Sequence, residues 1–260
     1  MTSAPLTDRA AELRRLHTDP ELLVMVNVWD VASAAVVAGL PGCRALATAS
    51  YSMAAAYGYP DGEQLPLEMM LSATGRIVSA VSVPVSADLE GGYRNVDSTV
   101  RQAIGVGVVG GNIEDGMCPF AEAVGRIEAA VRAAEAERVP FVLNARTDAF
   151  LLAGDRDPAA VLADAIARGR AFLAAGADCV FVPGLLSAST VTELVAGLGF
   201  GKLSVLAVPD SLSLAELTSL GVARVSYGPW TQRVALTALA DAGAALLAGG
   251  SLPGWARPVT

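Results

Sequence analysis

Short, nearly unbroken apolar runs recur along the chain at Val24–Trp29, Ala45–Ser50, Val83–Leu89, Val106–Glu114, Phe141–Arg146, Cys179–Pro183, Leu203–Val208 and Arg224–Tyr227. Runs this short and this continuous fit parallel strands covered on both faces, since a half-exposed strand would alternate. Ala-rich amphipathic segments lie between most of them. Val96–Ile104, Ala121–Arg138, Ala159–Ala175, Ser189–Leu198 and Ser213–Leu220 read as helices, two of them opened by Asp or Ser caps. Gly176, Gly199 and Gly221 follow three of these segments, where a left-handed residue ends a helix. Eight such units without a composition break predict one (β/α)8 barrel domain of the TIM type over residues 1–260. Residues 1–22 read as an N-terminal helical extension. A doubly wound sheet is the alternative architecture. It lacks support from a dinucleotide motif, because the glycines from Gly105 to Gly111 lead into a strand rather than out of one.

Composition narrows the chemistry. The chain has 260 residues, 53% hydrophobic and 17% charged, with a formal net charge of −8. A domain this long buries about 70–75% of its unfolded surface and needs no staple. No basic cluster suggests nucleic acid, and no apolar stretch of about 18 residues suggests a membrane span. The odd set Cys43, Cys118 and Cys179 has no metal-ligand spacing, and Met1–Pro20 does not resemble a signal peptide. These features predict a soluble cytoplasmic protein in which Cys43 and Cys179 pack the barrel. One histidine, His17, and one lysine, Lys202, occur. A zinc site with two or three imidazoles is therefore excluded. A Ser-His-Asp triad would need His17, whose polar surroundings in the sequence predict a solvated surface residue.

Barrel enzymes carry their chemistry where strands end. The runs end in Asn27-Val28-Trp29-Asp30, Thr48-Ala49-Ser50-Tyr51, Asp88-Leu89-Glu90, Asn112-Ile113-Glu114-Asp115 and Asn144-Ala145-Arg146-Thr147-Asp148, whereas the sixth and seventh end in Pro183 and Pro209. Polarity after the first five strands predicts an off-centre site. Asp88 and Glu90, two apart, share a face, and Glu114 ends the neighbouring strand. Three carboxylates without His or Cys make a hard oxygen site suited to Mg2+ or Mn2+, some of them acting through water. The competing reading has these acids capping helices or pairing with Arg94 and Arg101. Arg146 suits bidentate binding of a substrate carboxylate, or else an ion pair with Asp148 or Glu114. The turn at Ser50 and Tyr51 offers backbone N–H groups to an anion.

Taken in order, several motifs resemble the isocitrate lyase/phosphoenolpyruvate mutase superfamily. They are Thr48–Ser52, Gly58-Tyr59-Pro60-Asp61-Gly62, Pro84–Tyr93 with its Asp88-Leu89-Glu90 core, Val109–Asp115, Asn144–Asp148 and Gly176-Ala177-Asp178. The resemblance implies a barrel enzyme acting with Mg2+ on 2-oxo acids. It implies Asp88, Glu90 and Glu114 as metal ligands, direct or through water, and Ser50, Tyr51, Arg146 and Asp88 around the substrate. It places Asp61 over the reacting carbon, and Ser50, Tyr51, Asp61 and Arg146 in the catalytic set. It also implies a homo-oligomer, dimer or tetramer, that exchanges a last helix, here Thr231–Leu247.

The loop after the fourth strand separates members of that family. The isocitrate and methylisocitrate lyases it resembles carry a Lys- and Cys-containing segment with Gly-His there, and the phosphonate enzymes a Lys and an Asn. Here Asp115-Gly116-Met117-Cys118-Pro119-Phe120 has none of these patterns. The expected function is therefore Mg2+-dependent C–C cleavage of a small, oxaloacetate-like 2-oxo or 2-hydroxy (di)carboxylate through a metal-stabilised enolate. Tyr51, Tyr93 and Cys118 are the candidates for proton transfer. A phosphonomutase-like or phosphonopyruvate hydrolase-like C–P enzyme is the alternative, and a catalytically weak 2-oxo-acid-binding protein a second.

Overall fold

A parallel strand buried on both faces leaves two unpaired edges, and only closure satisfies them all. The computed structural model describes residues 5–258. Its strands are β1 (Leu23–Val28), β2 (Leu46–Thr48), β3 (Val85–Asp88), β4 (Gly110–Glu114), β5 (Val142–Arg146), β6 (Cys179–Val182), β7 (Leu203–Leu206) and β8 (Val222–Ser226). They pair in chain order, all parallel, and β8 closes on β1 with Leu23 beside Arg224 and Met25 beside Ser226. The result is a single-domain (β/α)8 barrel, not a doubly wound sheet.

The helices are α1 (Leu6–Thr18), α2 (Val31–Ala38), α3 (Ser50–Ala56), α4 (Leu67–Ala80), α5 (Val96–Gly105), α6 (Phe120–Ala136), α7 (Pro158–Ala174), α8 (Ala188–Leu198), α9 (Leu214–Ser219) and α10 (Trp230–Leu247). Asp157, Ser187 and Ser213 cap α7, α8 and α9, and Ser213 completes a capping box with Glu216. Six strands are shorter than their apolar runs, β2, β3 and β4 by the most. Ser50 starts α3 rather than ending β2, and Gly107, at φ +93°, turns the chain before β4. No helix is long and apolar enough to cross a membrane among the described residues.

Side-chain hydrogen bonds across the interior, two of them between strands that are not neighbours, identify the side chains filling the barrel. Arg224 on β8 donates to Ser86 Oγ on β3 at 3.4 Å, and Asn144 on β5 donates to Asn112 Oδ1 at 2.8 Å and Ser204 Oγ on β7 at 3.4 Å. The interior is thus largely polar, while Val, Ile and Leu side chains pack outward under the helices. Arg224 is fully buried without a carboxylate contact, and burial pulls its guanidinium down to about 10.

The N-terminal extension contains α1, which seals the bottom of this interior; residues 1–4 lie outside the described part. Ala10, Leu13 and Leu16 are fully buried, and a Cβ on Gly110 would stand 2.7 Å from the Leu13 side chain. This packing overturns the reading of His17 as a solvated residue. Its side chain lies on the same inward stripe, 6% exposed, with Nδ1 2.9 Å from the Leu13 carbonyl oxygen. The polar neighbours in sequence belong to the opposite face of the helix. Cys179 is buried, as expected of a packing residue, and Cys43 is half-buried.

Burial, reinforced by Arg224, pushes the His17 imidazole down to about 3. An unfolded chain takes up this proton below about pH 6.5, whereas the folded chain does not. The stability tied to a neutral His17 is therefore present above pH 6.5 and is lost as pH falls from there toward 3. We expect the stability difference between the wild type and His17→Gln to shrink or reverse between pH 7 and pH 4.5, by up to about 1.4 kcal/mol per pH unit. Urea unfolding at several pH values reads this directly, and parallel curves would refute it.

Candidate active site

The C-terminal ends of the strands surround a cavity of about 170 Å3. Asn27, Thr48, Ser50, Tyr51, Asp61, Asp88, Asn112, Arg146 and Ser226 line it on the side of β1 to β5 and β8. Leu151, Phe181, Pro183, Leu206 and Pro229 line the remainder. The off-centre polarity expected from the strand ends is therefore present.

Asp88 ends β3, and its Oδ2 accepts from the Ser50 backbone N–H at 3.1 Å and from Ser50 Oγ at 2.9 Å. The start of α3 is thus already engaged by a carboxylate. Glu90 is 5% exposed and left-handed at φ +53°. Its Oε2 accepts from Glu63 N at 2.5 Å and its Oε1 from the Tyr93 hydroxyl at 3.2 Å. Glu63 in turn accepts from Tyr93 N at 2.6 Å, so it fastens the segment that carries Asp61 to the turn after β3. Glu63 and Tyr93 also have positive φ, at 60° and 54°. Three strained residues in mutual contact mark a place where hydrogen bonding overrides backbone preference.

Arg146 ends β5 and is held from two sides. Its NH1 lies 2.7 Å from Glu114 Oε2, and its Nε donates to Asp148 Oδ1 at 2.7 Å. The ion-pair alternative weighed for this residue is therefore present with both partners, while Arg146 still lines the cavity. Asp115, directly after β4, supports this arrangement from behind. Its Oδ1 accepts from the backbone N–H groups of Asp148 and Met117, both at 3.0 Å, and its Oδ2 meets Arg168 at 3.2 Å. Glu63 and Arg168 carry no motif of their own, and Asp115 and Asp148 close two of the motifs without an assigned role. The strand-end rule reaches Asp115 and Asp148, but nothing in the sequence pairs Asp115 with Arg168 or Glu63 with Tyr93.

Five carboxylates thus gather at these strand ends: Glu114 and Asp148 grip Arg146, Asp61 and Asp88 line the cavity with it, and Glu90 stands beside Asp88. Of the three expected metal ligands, only Asp88 faces the cavity. Burial, aided by neighbouring carboxylates, pushes Glu90 up to about 7, and burial pushes Glu114 up to about 8 against the pull of Arg146. Burial and Asp88 also raise Asp61. A surplus of buried negative charge built only from oxygen donors fits a hard divalent cation. Among the described residues no three acidic, Cys or His side chains converge to enclose an ion directly. A cation held here would therefore take one or two carboxylates directly and keep several waters.

The three candidates for proton transfer separate. Tyr51 lines the cavity and is 44% exposed, with the Arg233 guanidinium 5.5 Å from its ring centre. The Tyr93 hydroxyl is spent on Glu90. Cys118, whose thiol burial pushes up, lies outside the cavity lining, beside the Arg168 contact. Arg101, weighed as a partner for the acids, pairs instead with Asp97 and Glu137.

With this geometry in hand, comparison with known proteins gives a consistent result. The family model of phosphoenolpyruvate phosphomutase matches residues 13–247. The chain belongs to that family, within the phosphoenolpyruvate mutase/isocitrate lyase superfamily. It is 30% identical to 2,3-dimethylmalate lyase of Eubacterium barkeri over 91% of this chain and 86% of that protein. Identity to oxaloacetate decarboxylase of Paraburkholderia xenovorans is 31%, covering 91% and 81%. A crystal structure from Burkholderia cenocepacia, provisionally assigned as a phosphonomutase, superposes with a TM-score of 0.86 at 39% identity, covering 95% of this chain and all of that one. The protein is thus an enzyme of this superfamily, of its lyase and mutase type.

Because Asp115 and Arg168 are both buried, removing one leaves the other uncompensated. Asp115→Ala should destabilise the fold by roughly 3–5 kcal/mol. Asp115→Asn, which keeps an acceptor for both N–H groups, should cost less. Urea unfolding of the two variants measures the difference, and equal losses would contradict the proposed division of labour.

Proposed function

We propose that the protein is a Mg2+-dependent lyase, with Mn2+ as a possible substitute, that cleaves a C–C bond in a small, oxaloacetate-like 2-oxo or 2-hydroxy (di)carboxylate. The observation that carries this reading is the surplus of buried carboxylates beside one guanidinium at the edge of a small cavity. Asp88, Glu90 and Glu114 would hold the cation, directly or through water. When bound, it supplies Lewis acidity toward the 2-oxo oxygen as negative charge develops there.

The remaining work falls to this chain's own groups. Ser50 orients Asp88 through two hydrogen bonds. Arg146, fixed by Glu114 and Asp148, presents positive charge to the substrate carboxylate without having to reorganise. Asp61 and Tyr51 stand at the mouth, where they can orient the substrate and exchange a proton with it. The similarity to 2,3-dimethylmalate lyase and to oxaloacetate decarboxylase supports C–C chemistry. The similarity to the Burkholderia protein favours C–P chemistry as the second reading. Against it stands the connection from β4 to α6, which offers neither Lys nor Asn.

Two further aspects belong to this proposal. The free thiols Cys43, Cys118 and Cys179 suit a reducing cytoplasm. The outer face of α10 exposes Val234 (70%), Leu239 (67%) and Leu247 (93%), an apolar surface that a homo-oligomer would cover.

A screen of oxaloacetate, methylisocitrate and phosphonopyruvate with Mg2+, followed by product identification, tests the reaction class. We expect pyruvate from oxaloacetate, abolished by EDTA and restored by Mg2+. Asp88→Ala should lower kcat at least about 100-fold, as loss of several kcal/mol of charge stabilisation implies, with an unchanged circular dichroism spectrum. Unimpaired turnover in that variant would remove the metal assignment, and turnover of phosphonopyruvate alone would favour the second reading.

A further inference from the structure

The cavity has two chemically different sides. Its polar arc comes from the ends of β1 to β5, whereas Phe181, Pro183 and Leu206 belong to β6, the residue after it and β7. Leu151, beyond β5, and Pro229, beyond β8, complete the apolar arc. Arg146 is the one cationic side chain among the lining residues, and Glu114 and Asp148 already occupy two of its nitrogens. The other basic residues stand outside the lining. Lys202 donates to the Asp178 carbonyl ahead of β6, at the opposite end of the barrel. His17 is buried at that same end. Arg233 lies over the rings of Tyr51 and Trp230, 5.5 and 4.6 Å from their centres.

We infer that the fragment cleaved from the 2-oxo acid leaves without charge, as CO2 or a short aldehyde, and that the arc formed by Leu151, Phe181, Pro183, Leu206 and Pro229 is the determinant of this specificity. The inference rests on the lyase reading above and narrows its substrate class. An ionised group pressed against an apolar wall loses hydration and gains no partner. A reaction that moves charge off that wall is favoured, whereas one that leaves a carboxylate or phosphonate there is not.

Both permitted reactions balance. In decarboxylation the bond from C3 to the distal carboxylate carbon breaks, and its electron pair passes to C3 and the 2-oxo oxygen. Neutral CO2 departs, and C3 later takes a proton from water. In retro-aldol cleavage the C3–C4 bond breaks toward C3 in the same way. The C4 hydroxyl gives its proton to a carboxylate of the polar arc, and C4 leaves as the aldehyde. Either way negative charge ends on the side that holds Arg146.

Thermal shift assays with Mg2+ test this without turnover, using oxalate, 2-oxopentanoate (uncharged tail) and 2-oxoglutarate (anionic tail) as probes. We expect oxalate to stabilise the protein, and 2-oxopentanoate to do so at least tenfold more tightly than 2-oxoglutarate. Leu151 is 49% exposed, so Leu151→Lys places a cation at the wall with little risk to folding. That variant should reverse the tail preference, and with oxaloacetate it should lower KM and kcat together, because it stabilises the bound carboxylate more than its loss. Leu151→Met should keep the original order of tails. A wild type that binds 2-oxoglutarate as well as 2-oxopentanoate, or stabilisation by oxalate alone, would overturn the inference. Absence of any Mg2+-dependent shift with oxalate would instead overturn the lyase reading beneath it.

Discussion

The site depends on how one guanidinium is held. Arg146 sits between Glu114 and Asp148, Asp148 hangs by its backbone N–H from Asp115, and Asp115 is anchored by Arg168 from α7. This chain of contacts ties the ends of β4 and β5 to the outer helical layer. It also fixes the local charge balance, because Arg146 offsets only part of the negative charge around it. The remaining carboxylates respond as burial and repulsion require, with Glu90 and Glu114 pushed toward protonation. A divalent cation would relieve the same imbalance, which is why the surplus of acid reads as a binding feature rather than a defect.

Such an arrangement needs a stiff platform. The barrel supplies one through interior hydrogen bonds, from Arg224 to Ser86 and from Asn144 to Ser204 across intervening strands and from Asn144 to Asn112 on the neighbouring strand. Polar filling of this kind is costly unless its groups pair with one another, and it rigidifies the interior where they do. Helix α1 closes the lower end with Leu13 and Leu16, and the absent side chain of Gly110 lets Leu13 approach. At the upper end the first turn of α10 docks through Thr231 on the Asn27 carbonyl and Gln232 on the Ser52 carbonyl. The same helix then turns an apolar face outward.

Much of this was legible in the sequence because parallel strands and their polar ends leave a strong local pattern. All eight strands fall within the apolar runs or overlap them, and Asp88, Arg146, Ser50, Tyr51 and Asp61 meet at one cavity as the motif order implied. What escaped were features set by long-range geometry. α2 is too uniformly Ala- and Val-rich for periodicity to delimit, and α3 begins where β2 seemed to continue. His17 was misjudged because its neighbours in sequence are not its neighbours in space. Glu63 escaped because half of its role is a backbone N–H donated to Glu90, which no residue identity encodes. For Arg146 the two readings first set against each other, ion pair and substrate contact, prove compatible in one side chain.

The brief connection after β4 bears on how a cleavage reaction would finish. α6 begins at Phe120, so only the stretch from Asp115 to Pro119 intervenes, and Asp115 is pinned by Arg168. No residue of that stretch lines the cavity, and Cys118 and Tyr93 are both turned to other partners. A short connection there leaves that side of the site open to water, and water can protonate a reactive carbanion. Loss of a neutral fragment suits the same openness, since no charged product has to be released past the apolar arc. On the proposed reading, apolar wall and short loop therefore act together: the wall directs negative charge toward Arg146, and the open mouth leaves water beside Asp61 and Tyr51 to supply the final proton.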